Sequence, residues 1–254
     1  MTFEEKLKQK YLYKPGQNLF KKLYFYAQII KEKKFIKKSF SGGAQDLLIN
    51  YIFKNLKNDA IKNKVFIDVG CYHPFNGNNT KLLSDNDWTG INIDLDFHTI
   101  DLFNFVRTRD ENIQAAISDI DGEKDMYFFH NRSAINSLSS HKTQKPKEIK
   151  KIQTKTLNSI IENSRFKNKK INLLCIDVEG HEMEVIKGFD LKKYSPEVVV
   201  IEFLDYNLTN IEIHNLNIKT VISSNIYKHM IENNYHFVNW LHSDLIFVNN
   251  KVRT

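Results

Sequence analysis

The sequence lacks the features that mark a secreted, fibrous or membrane-spanning chain. It has two cysteines, Cys71 and Cys175, in 254 residues. Both sit in or beside apolar stretches that read as buried parallel strands, which favours free thiols in a reducing compartment over a disulfide. Nine glycines and four prolines are too few for a collagen-like or low-complexity chain. No apolar run approaches the ~20 residues that spanning a bilayer needs. The N-terminus carries Glu4, Glu5 and several lysines without an apolar signal core, so no secretory leader is expected and a cytoplasmic location is. No G-x-G-x-x-G follows an apolar run, and no Tyr-x-x-x-Lys pair occurs. These absences remove the usual marks of a nicotinamide-dependent sugar dehydrogenase or epimerase.

What charge there is lies at one end. The chain carries +7 overall, yet residues 1–40 hold eleven lysines against Glu4, Glu5 and Glu32. The basic character therefore belongs to an N-terminal arm, residues 1–40, and residues 41–254 are nearly neutral. Such an arm suits a solvated helix face or peripheral contact with an anionic surface. The near-neutral domain has no basic strand interleaved with aromatics, so nucleic acid is not an expected partner. Leu19, Leu23, Tyr26, Ile29, Ile30 and Phe35 form a loose helical stripe along the arm, interrupted near its start by Pro15-Gly16.

Hydrophobic residues make up 41% of the chain, enough for one α/β domain. After the break at Ser41-Gly42-Gly43, residues 44–53 have helical spacing. Val65-Phe66-Ile67-Asp68-Val69-Gly70 then reads as a strand buried on both faces, ending in a glycine that allows a sharp turn and close approach to a ligand. A polar loop covers 70–79, and Asn79 or Thr80 can cap the helix of Leu82 and Leu83. Ile91–Asp94 is a second strand. An acid at its end is where a nucleoside-binding βαβ unit holds ribose hydroxyls, although a helix cap would look the same. Residues 99–106 read as a helix, 113–118 as a third strand, 124–129 as an edge strand, 130–150 as an irregular excursion and 154–163 as a short helix.

Leu173-Leu174-Cys175-Ile176-Asp177-Val178-Glu179-Gly180-His181-Glu182 runs from strand into helix. Two carboxylates and an imidazole at one strand end suit general acid/base chemistry near neutral pH. They also suit a divalent cation, for which Asp177, Glu179 and Glu202 are the candidate ligands. Glu182 and Glu184 fit an ordinary helix N-terminus. Residues 196–203 form a further buried strand with an acid, Glu202, at its end, 226–233 are helical, and 235–240 with 244–248 make a closing hairpin through Leu241-His242-Ser243.

Together these blocks resemble the FkbM family of S-adenosylmethionine-dependent methyltransferases. The resemblance rests on Ser41-x-x-x-Gln45-Asp46-Leu47, on Phe66–Pro74 followed by Asn79-Thr80, and on Gly90–Asp94 with Arg109-Asp110 and Asn112-Ile113. It rests most specifically on Leu174–Glu182, and it covers roughly residues 40–250. Leu95 stands where the family usually has proline, and no glycine lies two residues beyond Gly70. The resemblance implies a class I methyltransferase fold. That fold is a Rossmann-like, seven-stranded, mostly parallel sheet with helices on both faces and a closing antiparallel hairpin, here preceded by a helical arm. It implies S-adenosyl-L-methionine as cofactor, with Asp68, Gly70, Cys71, Tyr72 and His73 at the methionine part and Asp94 on the ribose. Asn112 to Ala116 would lie near the adenine, Gln45 and Asp46 over the cofactor, and Asp177 on both cofactor and acceptor sides. His181, Glu179 and Asp177 would face methyl transfer, with His181 or Glu179 as base. The implied acceptor is a hydroxyl of a sugar, in a surface polysaccharide or its nucleotide-activated precursor. Mg2+ dependence and a homo-oligomer are left open. A metal-dependent hydrolase built on Asp177, Glu179 and His181 is the alternative enzyme.

Overall fold

The structure is a computed structural model that describes residues 2–12, 19–32, 37–56, 63–128, 146–203 and 218–252. The chain forms two compact units, Met1–Lys38 and Ser39–Thr254. The first holds α1 (Phe3–Leu7), a π-helical turn (Lys8–Leu12) and α2 (Leu19–Glu32). Leu19, Leu23, Tyr26, Ile29 and Ile30 lie along α2, whereas Pro15, Gly16 and Phe35 fall outside the described residues. No helix among the described residues is long and apolar enough to cross a membrane.

The second unit opens with α3 (Gln45–Asn55) and β1 (Val65–Val69). Next come α4 (Lys81–Ser84), β2 (Thr89–Asp94), α5 (Phe97–Val106) and β3 (Glu111–Gln114). A small three-stranded sheet intervenes, built from β4 (Ala116–Ile117), β5 (Gly122–Phe128) and β6 (Glu148–Lys155) in the order β4-β6-β5. The chain then returns to the main sheet through α6 (Leu157–Glu162), β7 (Leu173–Ile176), α7 (Glu182–Lys187), α8 (Leu191–Tyr194) and β8 (Val198–Glu202). It closes with α9 (Ile218–Ser223), α10 (Asn225–Glu232), β9 (Tyr235–Leu241) and β10 (Asp244–Asn249).

The main sheet has seven strands in the order β3-β2-β1-β7-β8-β10-β9. β3, β2, β1, β7 and β8 pair in parallel, and β10 runs antiparallel to both of its neighbours. The four central strands are buried along their whole length, which is why their sequences are continuous apolar runs. The two-residue side-chain period divides them between two cores. Ile67, Leu174, Ile176, Val199, Ile201, Leu245 and Phe247 face Leu157, Ile161, Val185, Ile186 and Met230 of the helices on one side. Phe66, Leu173, Cys175, Val198, Val200 and Ile246 face Ile49 and Phe53 of α3 with Leu83 and Trp88 on the other. The strand order reverses between β1 and β7, and a crevice opens beyond the carboxyl ends of the strands at such a point. Asp94, Asp177 and Glu202 all stand at that edge. So does Asp244, because β10 runs the opposite way and begins there.

Three local expectations change. The single strand expected over 113–118 is divided. Its ladder on β2 runs out at Asp94↔Gln114, where β2 itself ends, so Ala116 and Ile117 pair with Thr154 and Lys155 instead. The helix expected from Thr154 begins only at Leu157, capped by Thr156, whose hydroxyl accepts the Ser159 amide. Thr154 and Lys155 belong to β6, a strand whose alternation is obscured by Lys150 and Lys151. Within the expected excursion, 129–145 lie outside the described residues, and Glu148, Ile149 and Lys150 are strand.

Candidate active site

The turn after β1 is sewn onto the end of β2. The amides of Gly70 and Cys71 donate to the Ile93 carbonyl at 2.8 and 3.2 Å. The Tyr72 amide donates to Asp94 Oδ2 at 3.0 Å, and the Asp96 amide to Asp94 Oδ1 at 2.8 Å. Gly70 and Tyr72 both have positive φ, 78° and 52°. At Gly70 the need for glycine is steric as well as conformational: a Cβ would lie 1.6 Å from the Asp177 carbonyl oxygen. The chain leaving β7 crosses there, held by the Asp177 amide on the Val69 carbonyl at 2.9 Å.

Asp94 is half-buried, and burial raises its pKa. Each of its oxygens accepts one amide, which leaves lone pairs for further donors. The cap of α5 is Asp96, whose Oδ2 accepts the Thr99 amide, so Asp94 is not used as a helix cap. Exposed Tyr72 lies beside it. His73 turns the loop, its Nδ1 accepting the amides of Phe75 and Asn76 at 3.2 and 3.1 Å. The Cys71 thiol is buried with Ile100 and Phe103, and burial raises its pKa.

Asp68 lies beneath this turn in a buried polar network. Its Oδ2 accepts from Thr80 Oγ1 at 2.9 Å and Asn78 Nδ2 at 3.3 Å. Thr80 Oγ1 in turn accepts from Arg107 Nη2 at 2.9 Å, and Arg107 Nε pairs with Asp110 at 2.9 Å. Burial raises the Asp68 pKa to about 6, against the lowering pull of Thr80 and Arg107. Thr80 occupies the cap position of α4 but makes no capping bond, since its hydroxyl is committed to Asp68. Asn112 is tied to Asn92, Asn104 and the Arg107 carbonyl, and buried Ala116 opens β4.

On the far side of the switch point the acids converge. One carboxylate oxygen each from Asp177, Glu179 and Glu202 lies within 4.8 Å of the other two. Asp177 faces the open crevice, yet the surrounding protein, followed by the Asp244 charge, raises its pKa to about 8. Glu202 is buried. Burial and then the charges of Asp177, Glu182 and Glu179 push its pKa up to about 12. Glu179 is held with φ 58° and Gly180 with φ 91°, a left-handed pair that costs about 1 kcal/mol or more at the non-glycine residue. Glu182 fixes this turn: its Oε1 accepts the amides of Val178 and Gly180 at 3.1 and 2.9 Å. Burial raises the pKa of Glu179 as well.

His181, at the cap position of α7, is buried outside the three-carboxylate cluster. Its Nε2 is 2.9 Å from Ser118 Oγ and its Nδ1 is 3.7 Å from Glu184. Burial lowers its pKa. Gln45 reaches across to the closing hairpin, donating through Nε2 to Asp244 Oδ2 at 2.8 Å, where Asn79 Nδ2 also donates at 3.2 Å. Asp46 anchors the preceding segment, accepting from the Ser39 and Ser41 hydroxyls and the Phe40 amide.

Sequence reasoning missed Asp244, Glu182 as the staple of the turn, and Ser118 as the partner of His181. Asp244 could have been found. It opens the final antiparallel strand directly opposite Glu202, so it must reach the carboxyl edge of the parallel strands.

No curated protein matches this chain. Among solved structures, monomeric WbdD aligns with 81% of this chain and 41% of its own, at 13% identity and a TM-score of 0.44; this chain thus spans well under half the length of WbdD. A protein described as a caffeoyl-CoA O-methyltransferase, from Staphylococcus aureus, aligns over 97% of both chains at 12% identity and a TM-score of 0.42. The methyltransferase FkbM domain matches residues 68–237, a span that begins at the acid of β1, includes the three strands leading to Asp94, Asp177 and Glu202, and ends within β9. The strand order, the acid-lined switch point and that match agree: the chain belongs to the FkbM methyltransferase family, whose members are S-adenosylmethionine-dependent.

Proposed function

We propose that this enzyme methylates a hydroxyl of a sugar, with Asp94 and the 70–73 turn on the cofactor side and the Asp177–Glu179–Glu202 cluster on the acceptor side. The observation that supports the reading most is the convergence of those three carboxylates across the switch point from Asp94. The crevice fits the cofactor. Asp94 keeps acceptor capacity for a pair of ribose hydroxyls, and the positive-φ turn at Gly70–Tyr72 presents backbone beside it. When bound, S-adenosylmethionine supplies an electrophilic sulfonium methyl. The protein's task is to align the acceptor oxygen and remove its proton.

Glu179 is the residue we assign to proton removal. Its raised pKa brings it nearer to neutrality, where a general base works best. Asp177 beside it orients the hydroxyl. His181 is less suited, because both ring nitrogens already face protein groups. The sugar class comes from the family resemblance, and the charge of the site supports it. The carboxyl groups of Asp177, Glu179, Glu202 and Asp244 hydrogen-bond neutral hydroxyls, and those that are ionised repel an anionic acceptor group. The hydrolase alternative gains no support from the family match. The test is transfer of labelled methyl to a panel of free and nucleotide-activated sugars. Neutral hexoses should be labelled, and their uronic-acid counterparts should be labelled at least about tenfold less, as one uncompensated like charge costs above ~1.4 kcal/mol. Equal labelling of both would count against the proposed acceptor side.

A further inference from the structure

We propose that Asp177, Glu179 and Glu202 form a binding site for one hard divalent cation of the Mg2+, Mn2+ or Ca2+ class. The ligand atoms lie within 4.8 Å of one another. Opposed oxygens around such an ion are separated by about 4.1 Å for Mg2+ and about 4.6–5.2 Å for Ca2+, so the three carboxylates span a cation's diameter with little movement. A second observation points to a ligand independently of the clustering. Glu202 is 6% exposed, and its Oε2 is fully buried without a hydrogen-bond partner. A buried carboxylate oxygen that no amide, hydroxyl or ammonium donor reaches is costly.

The neighbouring groups do not meet that need. Glu182 is occupied by the amides of Val178 and Gly180, and Asp244 by Gln45 and Asn79. Among the described residues, neither Asp177 nor Glu202 has an ion-pair partner. Position favours a cation as well as charge. Asp177 opens on the crevice while Glu202 is buried behind it, so an ion held between them has one side toward the acceptor. The donor set is all oxygen, and His181, which follows Glu179 in the same turn, is turned to Ser118. Oxygen-only sites select hard cations over zinc or copper. Three protein oxygens leave coordination positions for a pair of neighbouring hydroxyls, the pattern a sugar presents. A coordinated hydroxyl is more acidic, and it passes its proton to the Glu179 carboxylate oxygen that is not the ligand. This role in turnover rests on the proposed methyl transfer; the site does not.

The test uses the full chain stripped with EDTA and titrated with Mn2+, following loss of the free-ion paramagnetic resonance signal. Mg2+ and Ca2+ serve as competitors, and S-adenosylmethionine binding is measured alongside by calorimetry. The expected result is one Mn2+ per chain at a Kd of about 0.1 mM or tighter, weakened at least about tenfold by Glu202→Gln. Cofactor affinity should stay near that of the unaltered chain. Should Glu202→Gln not fold, Glu179→Gln, at a half-buried position, decides by the same criterion. A proton shared between Asp177 and Glu202 would satisfy the pair without an ion. In that case no saturable Mn2+ binding appears, or the variants bind as the unaltered chain does, and the proposal is overturned. Absence of metal binding by the unaltered chain with cofactor binding intact refutes only the cation site, whereas absence of cofactor binding refutes the methyltransferase assignment of the crevice.

Discussion

At the scale of single residues, the site depends on positions whose identity has a steric or electrostatic reason. Gly70 is glycine because the chain leaving β7 passes where a side chain would be. Gly70→Ala should therefore destabilise the protein by roughly 3 kcal/mol or more, seen in a thermal melt as a drop of about 6–12 °C. An unchanged melting temperature would mean that the turn can move away from Asp177. Asp94→Ala removes the acceptor we propose for two ribose hydroxyls, and with it the acceptor of the Tyr72 amide. Calorimetry should show cofactor affinity falling by about 10- to 100-fold, while the fold, held by other bonds, persists by circular dichroism. Much of this was legible in the sequence. Acids ending apolar strands marked Asp94, Asp177 and Glu202, because a buried parallel strand leaves its last residue at the crevice. The direction of a side chain beyond the strand was not legible. Nothing in the local pattern distinguishes Glu179, which faces the cluster, from His181, which turns to Ser118, since that choice depends on the left-handed backbone at Glu179 and Gly180 and on the staple from Glu182.

At the scale of elements, the strands were legible where side chains alternate between two cores, as in β1, β7, β8 and β10. They were less so where lysines fill one face, as in β6. The division of β3 from β4 is a tertiary effect: β2 ends at Asp94 and leaves Ala116 and Ile117 to find another partner. The helices α4 and α5 are joined by a network that local propensity does not encode, from Asp68 through Thr80 to Arg107 and Asp110. Arg107 is 4% exposed and also stacks over Phe66 and Phe103. Arg107→Met leaves Asp110 buried without its ion-pair partner and should cost about 3–5 kcal/mol. Urea unfolding measures this. A loss below ~1 kcal/mol would show that the network does not hold β1 to α5.

At the scale of the whole molecule, the same network ties stability to pH. The folded-state pKa of Asp68 is about 6, above its ordinary value of 3.8. The folded chain therefore holds this proton more tightly than the unfolded chain. The associated stability is complete below pH 3.8 and is lost as the pH rises through 6. Asp68→Asn should remove that slope, which amounts to up to about 3 kcal/mol, in the difference between the two stability curves over this window. Parallel curves would mean that Asp68 titrates normally in the folded state. Charge is distributed just as unevenly: residues 1–40 carry the excess lysines, and four acids of the remaining chain, Asp177, Glu179, Glu202 and Asp244, meet at one crevice.

The central claim is that the crevice carboxylates activate a sugar hydroxyl for methylation. It is tested most directly by the rate of labelled methyl transfer to a nucleotide-activated sugar whose ring carries no charge, compared between the unaltered enzyme and Glu179→Gln, with cofactor affinity measured for both. The account predicts that kcat falls by about 10²- to 10⁴-fold while cofactor affinity is little changed. Transfer at the original rate by Glu179→Gln, with cofactor bound, would contradict it.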